Sequence, residues 1–148
     1  MDKLEDLILA HPALFRGAPP VVMSHLPAGW YGLLDRLCSD IERLLDRETE
    51  RFRVEQIKEK FGTLRFYWSL DDAGDAVADF IDGSGAHVGK FVLEAQGDRL
   101  RGEIRALVLE AEGRSATACQ DCGAAGTLET RRGWASTLCD AHAASRGR

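Results

Sequence analysis

Three cysteines and one histidine near the C-terminus have the spacing of metal ligands. Cys119 and Cys122 are separated by two residues, and Gly123 follows the pair. Two thiolates at this spacing can bind one ion, because a tight turn that glycine permits directs backbone amides toward the sulfurs. Cys139 and His142 lie three positions apart, which places both on one face of a helix. The pattern predicts one zinc ion bound by Cys119, Cys122, Cys139 and His142.

The predicted zinc is structural, since four protein ligands complete a tetrahedral shell whereas a catalytic zinc keeps one position for water. Between the two ligand pairs, residues 127–130 and 134–138 have the texture of a short hairpin that turns at 131–133. We call the turn at residues 119–123 the knuckle. The order of knuckle, hairpin and ligating helix predicts a treble-clef-like module over residues 114–148. This module has too few apolar residues to fold on its own. The free energy of zinc binding therefore contributes to the free energy of its folding.

The elements that must position these ligands are helical on both sides of a predicted hairpin. Apolar residues recur at three- and four-residue steps from Trp30 to Leu45, which predicts an amphipathic helix over 30–47. A second helical pattern runs from Val88 to Ala111, and its glycines leave open whether it forms one helix or two. A short helix fits residues 4–8, and the prolines after it predict irregular chain up to residue 29.

Alternating apolar and polar residues from Phe52 to Trp68 predict a strand pair that turns near residues 60–62. One more short strand is possible at residues 77–81, within an Asp- and Gly-rich stretch. The predicted fold is therefore α+β: a small antiparallel sheet packed by two main helices. We expect a body over residues 1–113, with the zinc module packed on it as part of one compact unit.

A group of cations surrounds the predicted hairpin and is interleaved with aromatic residues. Lys58, Lys60 and Arg65 are the cations, and Phe61, Tyr67 and Trp68 are the aromatic residues. This mixture is typical of surfaces that bind an acidic protein or a nucleic acid. For any single residue we expect a two-faced strand pair, with aromatic residues in the core and basic residues in water, and its basic face is still available to a partner.

Trp134 lies five residues before the predicted ligand Cys139, in a module with few other apolar groups. An indole ring that buries roughly 150–250 Å² must pack on the main core or contact a partner. We expect core packing at Trp134, with partner binding as the alternative.

Several other patterns give no recognisable site. The segment from Asp82 to Phe91 lacks the glycine and the hydroxyl residue that a phosphate-binding loop requires. The carboxylates between Asp71 and Asp82 do not follow the calcium-loop template and are interpreted as a solvated loop. Cys38 is expected to be a small buried side chain. The histidines outside the tail have no sequence relation to Cys38 that would assemble a catalytic dyad.

Composition limits the classes of function further. The chain has 148 residues, 45% of them hydrophobic, and a net charge of -5. It contains no apolar run of the roughly 18 residues that a membrane span needs, and its start is too acidic for a secretory signal, so we expect a cytoplasmic protein. Residues 114–148 hold five arginines and three acidic residues, so the negative charge belongs to the body.

The chain resembles a group of small uncharacterised proteins of bacteriophages, prophages and bacteria. The resemblance is carried by residues 29–31, 37–41, the run 56–67 that contains KEKFGTLRFY, and residues 111–112, 115, 119–123, 133–134, 137–140 and 142. It implies no activity. It implies a phage or mobile-element accessory protein that acts inside a bacterium.

These observations predict a zinc-stabilised binding protein rather than an enzyme. We expect it to engage a bacterial host or partner protein, as an inhibitor, a modulator or an immunity-type factor does, with Lys58, Lys60, Arg65 and Trp134 as candidate contact residues. The alternative is a nucleic-acid-binding accessory module that uses the basic hairpin and the zinc tail. The acidic body opposes this alternative because it repels phosphates.

Overall fold

The computed structural model describes residues 3–17, 21–22, 26–71 and 88–147, and the side chains of residues 88–98 fall outside this description. In chain order the elements are α1 (Lys3–Ala10), β1 (Val21–Val22), α2 (Tyr31–Leu45), β2 (Phe52–Lys60), β3 (Thr63–Leu70), α3 (Val88–Ser115), β4 (Thr127–Arg131), β5 (Trp134–Leu138) and α4 (Asp140–Arg146). Short 3-10 turns at Ala28–Trp30 and Thr49–Arg51 precede α2 and β2. The α+β prediction is confirmed.

The main sheet contains the predicted hairpin and one strand that the sequence did not indicate. Strands β2 and β3 are antiparallel, with Lys58 opposite Arg65 and Ile57 opposite Phe66. The short strand β1 pairs in parallel with β2 at residues 56–57. The prediction that the chain before residue 29 is irregular is therefore wrong at β1, where two valines extend the sheet between proline-containing stretches.

The two main helices form the core with the inner face of the sheet. Helix α2 buries its predicted apolar stripe, and α3 is one continuous helix despite its internal glycines. Gly102 has no neighbour within 4 Å of a Cβ position, so it lies on an open part of the helix surface. The core contains Leu34, Leu37, Cys38, Ile41, Leu45, Val54, Ile57, Leu64, Phe66, Ile104, Val108 and Ala111. The possible strand at residues 77–81 lies outside the described residues.

Helix α3 also satisfies backbone groups at the free edge of β3. The backbone N–H of Leu64 donates to Ser115 Oγ at 2.8 Å, and that of Phe66 donates to Glu112 Oε1 at 3.0 Å. The Arg101 guanidinium donates to the backbone oxygen of Leu70 at 2.8 Å. Unpaired edge groups are templates for pairing with another chain, and these three contacts therefore block strand addition along β3.

Candidate functional site

The four predicted metal ligands converge at one point of the C-terminal module. The ligand atoms of Cys119, Cys122, Cys139 and His142 all lie within 4.8 Å of one another. The Cys122 and Cys139 sulfurs are 3.8 Å apart, and His142 Nδ1 lies 3.5 Å from Cys119 Sγ and 3.1 Å from Cys139 Sγ. This cluster could hold a metal ion, as the spacing predicted.

Local structure explains how the ligands are presented. Gly123 has φ 79°, and its N–H donates to the Cys119 carbonyl at 2.8 Å, which closes the predicted knuckle turn. Strands β4 and β5 form the predicted hairpin and return the chain to Cys139. Cys139 immediately precedes α4, so His142 on the first turn of that helix faces the same point. The module has the order of a treble clef: knuckle, hairpin and ligating helix.

The electrostatic environment favours the thiolate, which is the form that binds a metal, at Cys119 and Cys139. At Cys122 the Ala124 N–H lowers the pKa, but burial and the neighbouring thiols outweigh it and raise the pKa. Burial raises the pKa of Cys119, but N–H groups of Cys139, Cys122 and Asp121 hydrogen-bond its sulfur and lower the pKa to about 6. The N–H and the side chain of His142 likewise lower the pKa of Cys139. The turn and the start of α4 thus provide the donors that stabilise negative sulfur.

The module is attached to the body by contacts that leave no room for side chains. The Gly29 N–H donates to the Gln120 carbonyl at 2.8 Å, and a Cβ at Gly29 would lie 2.1 Å from the Cys119 carbonyl oxygen. The buried Trp30 indole donates to the Ala118 carbonyl at 3.0 Å. The knuckle that carries two of the ligands therefore packs directly on the turn that begins α2.

The outer face of the β2–β3 hairpin brings the candidate contact residues together. We call Lys58, Lys60, Phe61, Arg65 and Tyr67 the cation–aromatic face. The Lys58 ammonium lies 4.9 Å from the centre of the Tyr67 ring, and the Lys60 ammonium lies 5.3 Å from that of Phe61. Phe61 is 72% exposed and Tyr67 is 45% exposed. The prediction that the aromatic residues face the core holds for Trp68, which packs against the core, but is wrong for Phe61 and Tyr67.

Trp134 lies on the surface of the module, with 72% of its area exposed. The expectation that it packs in the core is wrong, because the first residue of β5 is exposed whereas Thr137 and Leu138 at the end of the strand are buried. The ring lines a groove of about 350 Å³ between the β4–β5 hairpin and α4, together with Arg131 and Arg146. Both arginines are already paired, with Glu129 and Asp121 respectively.

A buried histidine with two carboxylate partners was missed by the sequence analysis. His11 Nε2 lies 2.9 Å from Asp35 Oδ1, and Nδ1 lies 3.0 Å from Glu42 Oε2. Burial lowers the pKa of His11, but the two hydrogen bonds and the charges of both carboxylates outweigh it and raise the pKa above its ordinary value. Both ring nitrogens are occupied, so the group fastens the end of α1 to α2.

Cys38, which lies beside these carboxylates, is fully buried as predicted. Burial, followed by the charges of Glu42 and Asp35, raises the pKa of its thiol. A thiol whose pKa is raised is a poor nucleophile at neutral pH. Cys38 is therefore a core residue and not an activated cysteine.

An open groove of about 790 Å³ lies between α2, α3 and the knuckle. Its rims carry Arg36 and Asp40 of α2 on one side and Glu110 and Arg114 of α3 on the other. Glu110 and Arg114 form an ion pair at 2.7 Å. Because both signs of charge are present on each rim, the groove does not favour an ion of either sign.

No family model, curated protein or solved structure matches the chain. In the part of the chain that the structure describes, no helix is both long and apolar enough to cross a membrane.

Proposed function

We propose that the protein is a zinc-stabilised, non-enzymatic binding protein that engages a partner protein through the cation–aromatic face. The zinc supports the fold, and the face supplies recognition. The observation that carries the proposal is the combination, on one side of the hairpin, of two exposed aromatic rings and three cations that have no carboxylate partner among the described residues.

Zinc fits the cluster in both chemistry and dimensions. With Zn–S of about 2.3 Å and Zn–N of about 2.0 Å, a tetrahedral shell separates two sulfurs by about 3.8 Å and a sulfur from a nitrogen by about 3.5 Å. The separations of 3.8 Å between Cys122 and Cys139 and of 3.5 Å between Cys119 and His142 agree with these values, and the 3.1 Å between Cys139 and His142 is shorter. Three thiolates and one imidazole are a closed ligand set of a structural zinc site.

The cation–aromatic face differs electrostatically from other parts of the described surface. Outside this face, Arg53 pairs with Glu55 at 3.0 Å, and Arg131 pairs with Glu129 at 2.9 Å. Lys58, Lys60 and Arg65 have no carboxylate within ion-pair distance among the described residues. Arginine and tyrosine are enriched among the residues that carry binding energy at protein interfaces, and the positive charge of the two lysines is complementary to an acidic partner surface.

Trp134 supplies a second candidate contact on the zinc module. Tryptophan is enriched among the residues that carry most of the binding energy at interfaces, where it fills a pocket of the partner. The resemblance to phage and bacterial proteins supports a partner inside the bacterial cytoplasm. In that setting the protein acts as an accessory factor that inhibits, modulates or protects its partner.

The proposal is tested by capture of partners from bacterial lysate with the zinc-loaded chain as bait. The variant Lys58→Ala/Arg65→Ala removes two adjacent cations of the face, and Arg47→Ala/Arg105→Ala is the control with the same change in net charge elsewhere. We expect a protein band that resists nuclease treatment, is retained by the control and is lost with the face variant. Capture that disappears with nuclease would instead support a nucleic-acid-binding module, and equal capture by both variants would contradict the proposal.

A further inference from the structure

We propose that the partner presents an extended acidic segment, with carboxylates at every second residue, which lies along β2 so that successive carboxylates meet Lys58 and Lys60 and the first also contacts Arg65. This inference rests on the proposed function and specifies the chemistry of the partner at the cation–aromatic face.

Two like charges lie side by side on the cation–aromatic face. Lys58 and Arg65 are direct cross-strand partners, so their side chains leave the same face of the sheet next to each other. Like charges directly opposite each other destabilise a strand pair. The described residues place no carboxylate between them. An anion from another molecule that binds between the two cations removes this repulsion and gains two charge-assisted hydrogen bonds.

The spacing of the cations on β2 matches the repeat of an extended peptide. Lys58 and Lys60 lie two residues apart on β2, which separates their backbone positions by about 6.5 Å, and Arg65 lies across from Lys58 at about 5 Å. An extended peptide presents every second side chain to one face with the same repeat of about 6.5 Å. Carboxylates at alternate positions of such a segment therefore match the cations of β2 in register.

The segment docks on the outer face of the hairpin and not at the edge of β3. The outward N–H groups of Leu64 and Phe66 are already bound to Ser115 and Glu112, so the segment cannot extend the sheet along this part of β3. Recognition must use side chains on the outer face instead. Tyr67 and Phe61 provide apolar contact area beside the cations, which favours a segment that carries an aliphatic residue beside its carboxylates.

A short acidic peptide fits this surface better than a polyphosphate chain. Glu55 and Glu59 lie on the same strand as Lys58, and the whole chain carries a net charge of -5. A nucleic acid that continued along β2 beyond Lys58 would meet the carboxylate of Glu55, which weakens binding of long polyanions. A short segment with alternate carboxylates needs only the cations at Lys58, Lys60 and Arg65.

Fluorescence anisotropy with the full-length, zinc-loaded chain tests the inference. The probes are a labelled peptide with three glutamates that alternate with threonine between two leucines, a permuted peptide of the same composition with the glutamates in one block, and a ten-nucleotide oligothymidylate. We expect the alternating peptide to bind at least tenfold more tightly than either other probe. Lys58→Ala and Arg65→Ala should each weaken this binding at least fivefold, whereas the exposed control Arg105→Ala should leave it unchanged.

Equal affinity for the alternating and permuted peptides, or tighter binding of the oligothymidylate, overturns the inference, as does the absence of saturable binding of the alternating peptide. If capture from lysate still depends on Lys58 and Arg65 in that case, only the alternating geometry is wrong and the proposed function remains. If the alternating peptide does not bind and capture from lysate does not depend on Lys58 and Arg65, the proposed function is contradicted as well. Circular dichroism of each variant establishes that the fold is retained.

Discussion

The hydroxyl of Thr137 donates a hydrogen bond to the backbone oxygen of Gly62 at 2.8 Å, and Thr137 is fully buried. This bond joins β5 of the metal module to the turn of the β2–β3 hairpin, across 75 residues of sequence. Gly62 has φ 79°, and a Cβ there would lie 2.5 Å from the Leu128 side chain. The metal module therefore fixes the position of the turn that carries Phe61 and Lys60.

Replacement of Thr137 by valine should destabilise the protein without a change in side-chain volume. The substitution leaves a buried carbonyl at Gly62 without its donor, which costs about 1–3 kcal/mol. Urea unfolding of the zinc-loaded protein measures this loss. Thr130→Val, at an exposed position of β4, is the matched control and should change the free energy of unfolding by less than about 0.5 kcal/mol. Equal stability of the two variants would show that the bond is not important for the fold.

Gly29→Ala should disrupt the contact between the knuckle and the start of α2. The new Cβ would lie 2.1 Å from the Cys119 carbonyl oxygen and 2.8 Å from the Cys122 N–H nitrogen, so the backbone of the ligand turn must shift. Gly32→Ala is the control, because nothing lies within 4 Å of its Cβ position. Gly32 is in α2, where alanine stabilises a helix by up to about 1 kcal/mol relative to glycine.

We expect a lower melting temperature and weaker zinc retention for Gly29→Ala, and an unchanged or higher melting temperature for Gly32→Ala. Thermal unfolding with and without a competing chelator measures both properties. A Gly29→Ala variant that melts and retains zinc like the parent chain would mean that the close approach at Gly29 is not required.

The ion pairs of His11 predict a pH dependence of stability. An unperturbed histidine has a pKa of about 6.5, which we take for the unfolded chain. Because the pKa of His11 is raised in the folded protein, the stabilisation is fully present below about pH 6.5 and is lost as pH rises through the folded pKa. Urea unfolding of the parent chain and of His11→Gln between pH 6 and pH 9 should show a stability difference that shrinks with rising pH. A difference that is constant over this range would contradict the prediction.

Trp134→Ala should leave stability nearly unchanged, because the ring is 72% exposed. Exposed substitutions of this kind usually change the free energy of unfolding by about 0.5 kcal/mol or less. Trp30→Ala, which removes a fully buried indole, should cost about 3–5 kcal/mol. If Trp134 is a partner anchor, its alanine variant also loses partner capture at an unchanged melting temperature. A large loss of stability at Trp134 would restore the core interpretation.

Much of the architecture could be predicted from local patterns. The apolar periodicity of α2, the alternation in β2 and β3 and the paired Cys/His spacing are properties of contiguous residues, and each gave the correct element. Strand β1 was missed because two residues carry no periodicity. Core packing of Trp134 was predicted from the size of its ring alone, whereas the direction of β5 decides its exposure.

Other features depend on contacts between residues far apart in sequence. The Leu64 N–H meets Ser115 Oγ across 51 residues, and His11 meets Glu42 across 31. No local pattern indicates which of several hydroxyl or carboxylate side chains will reach a given group, because the packing of α1, α2 and α3 decides it. The docking of the knuckle on Gly29 has the same origin.

The zinc content of the purified chain and of two cysteine variants tests the account most directly. We predict about one zinc per chain in the parent protein and in Cys38→Ala, since Cys38 is a core residue outside the cluster. Cys122→Ser should lose most of the zinc and melt at a lower temperature, because zinc binding contributes to folding. Fully folded parent protein without metal, or undiminished zinc in Cys122→Ser, would contradict the account.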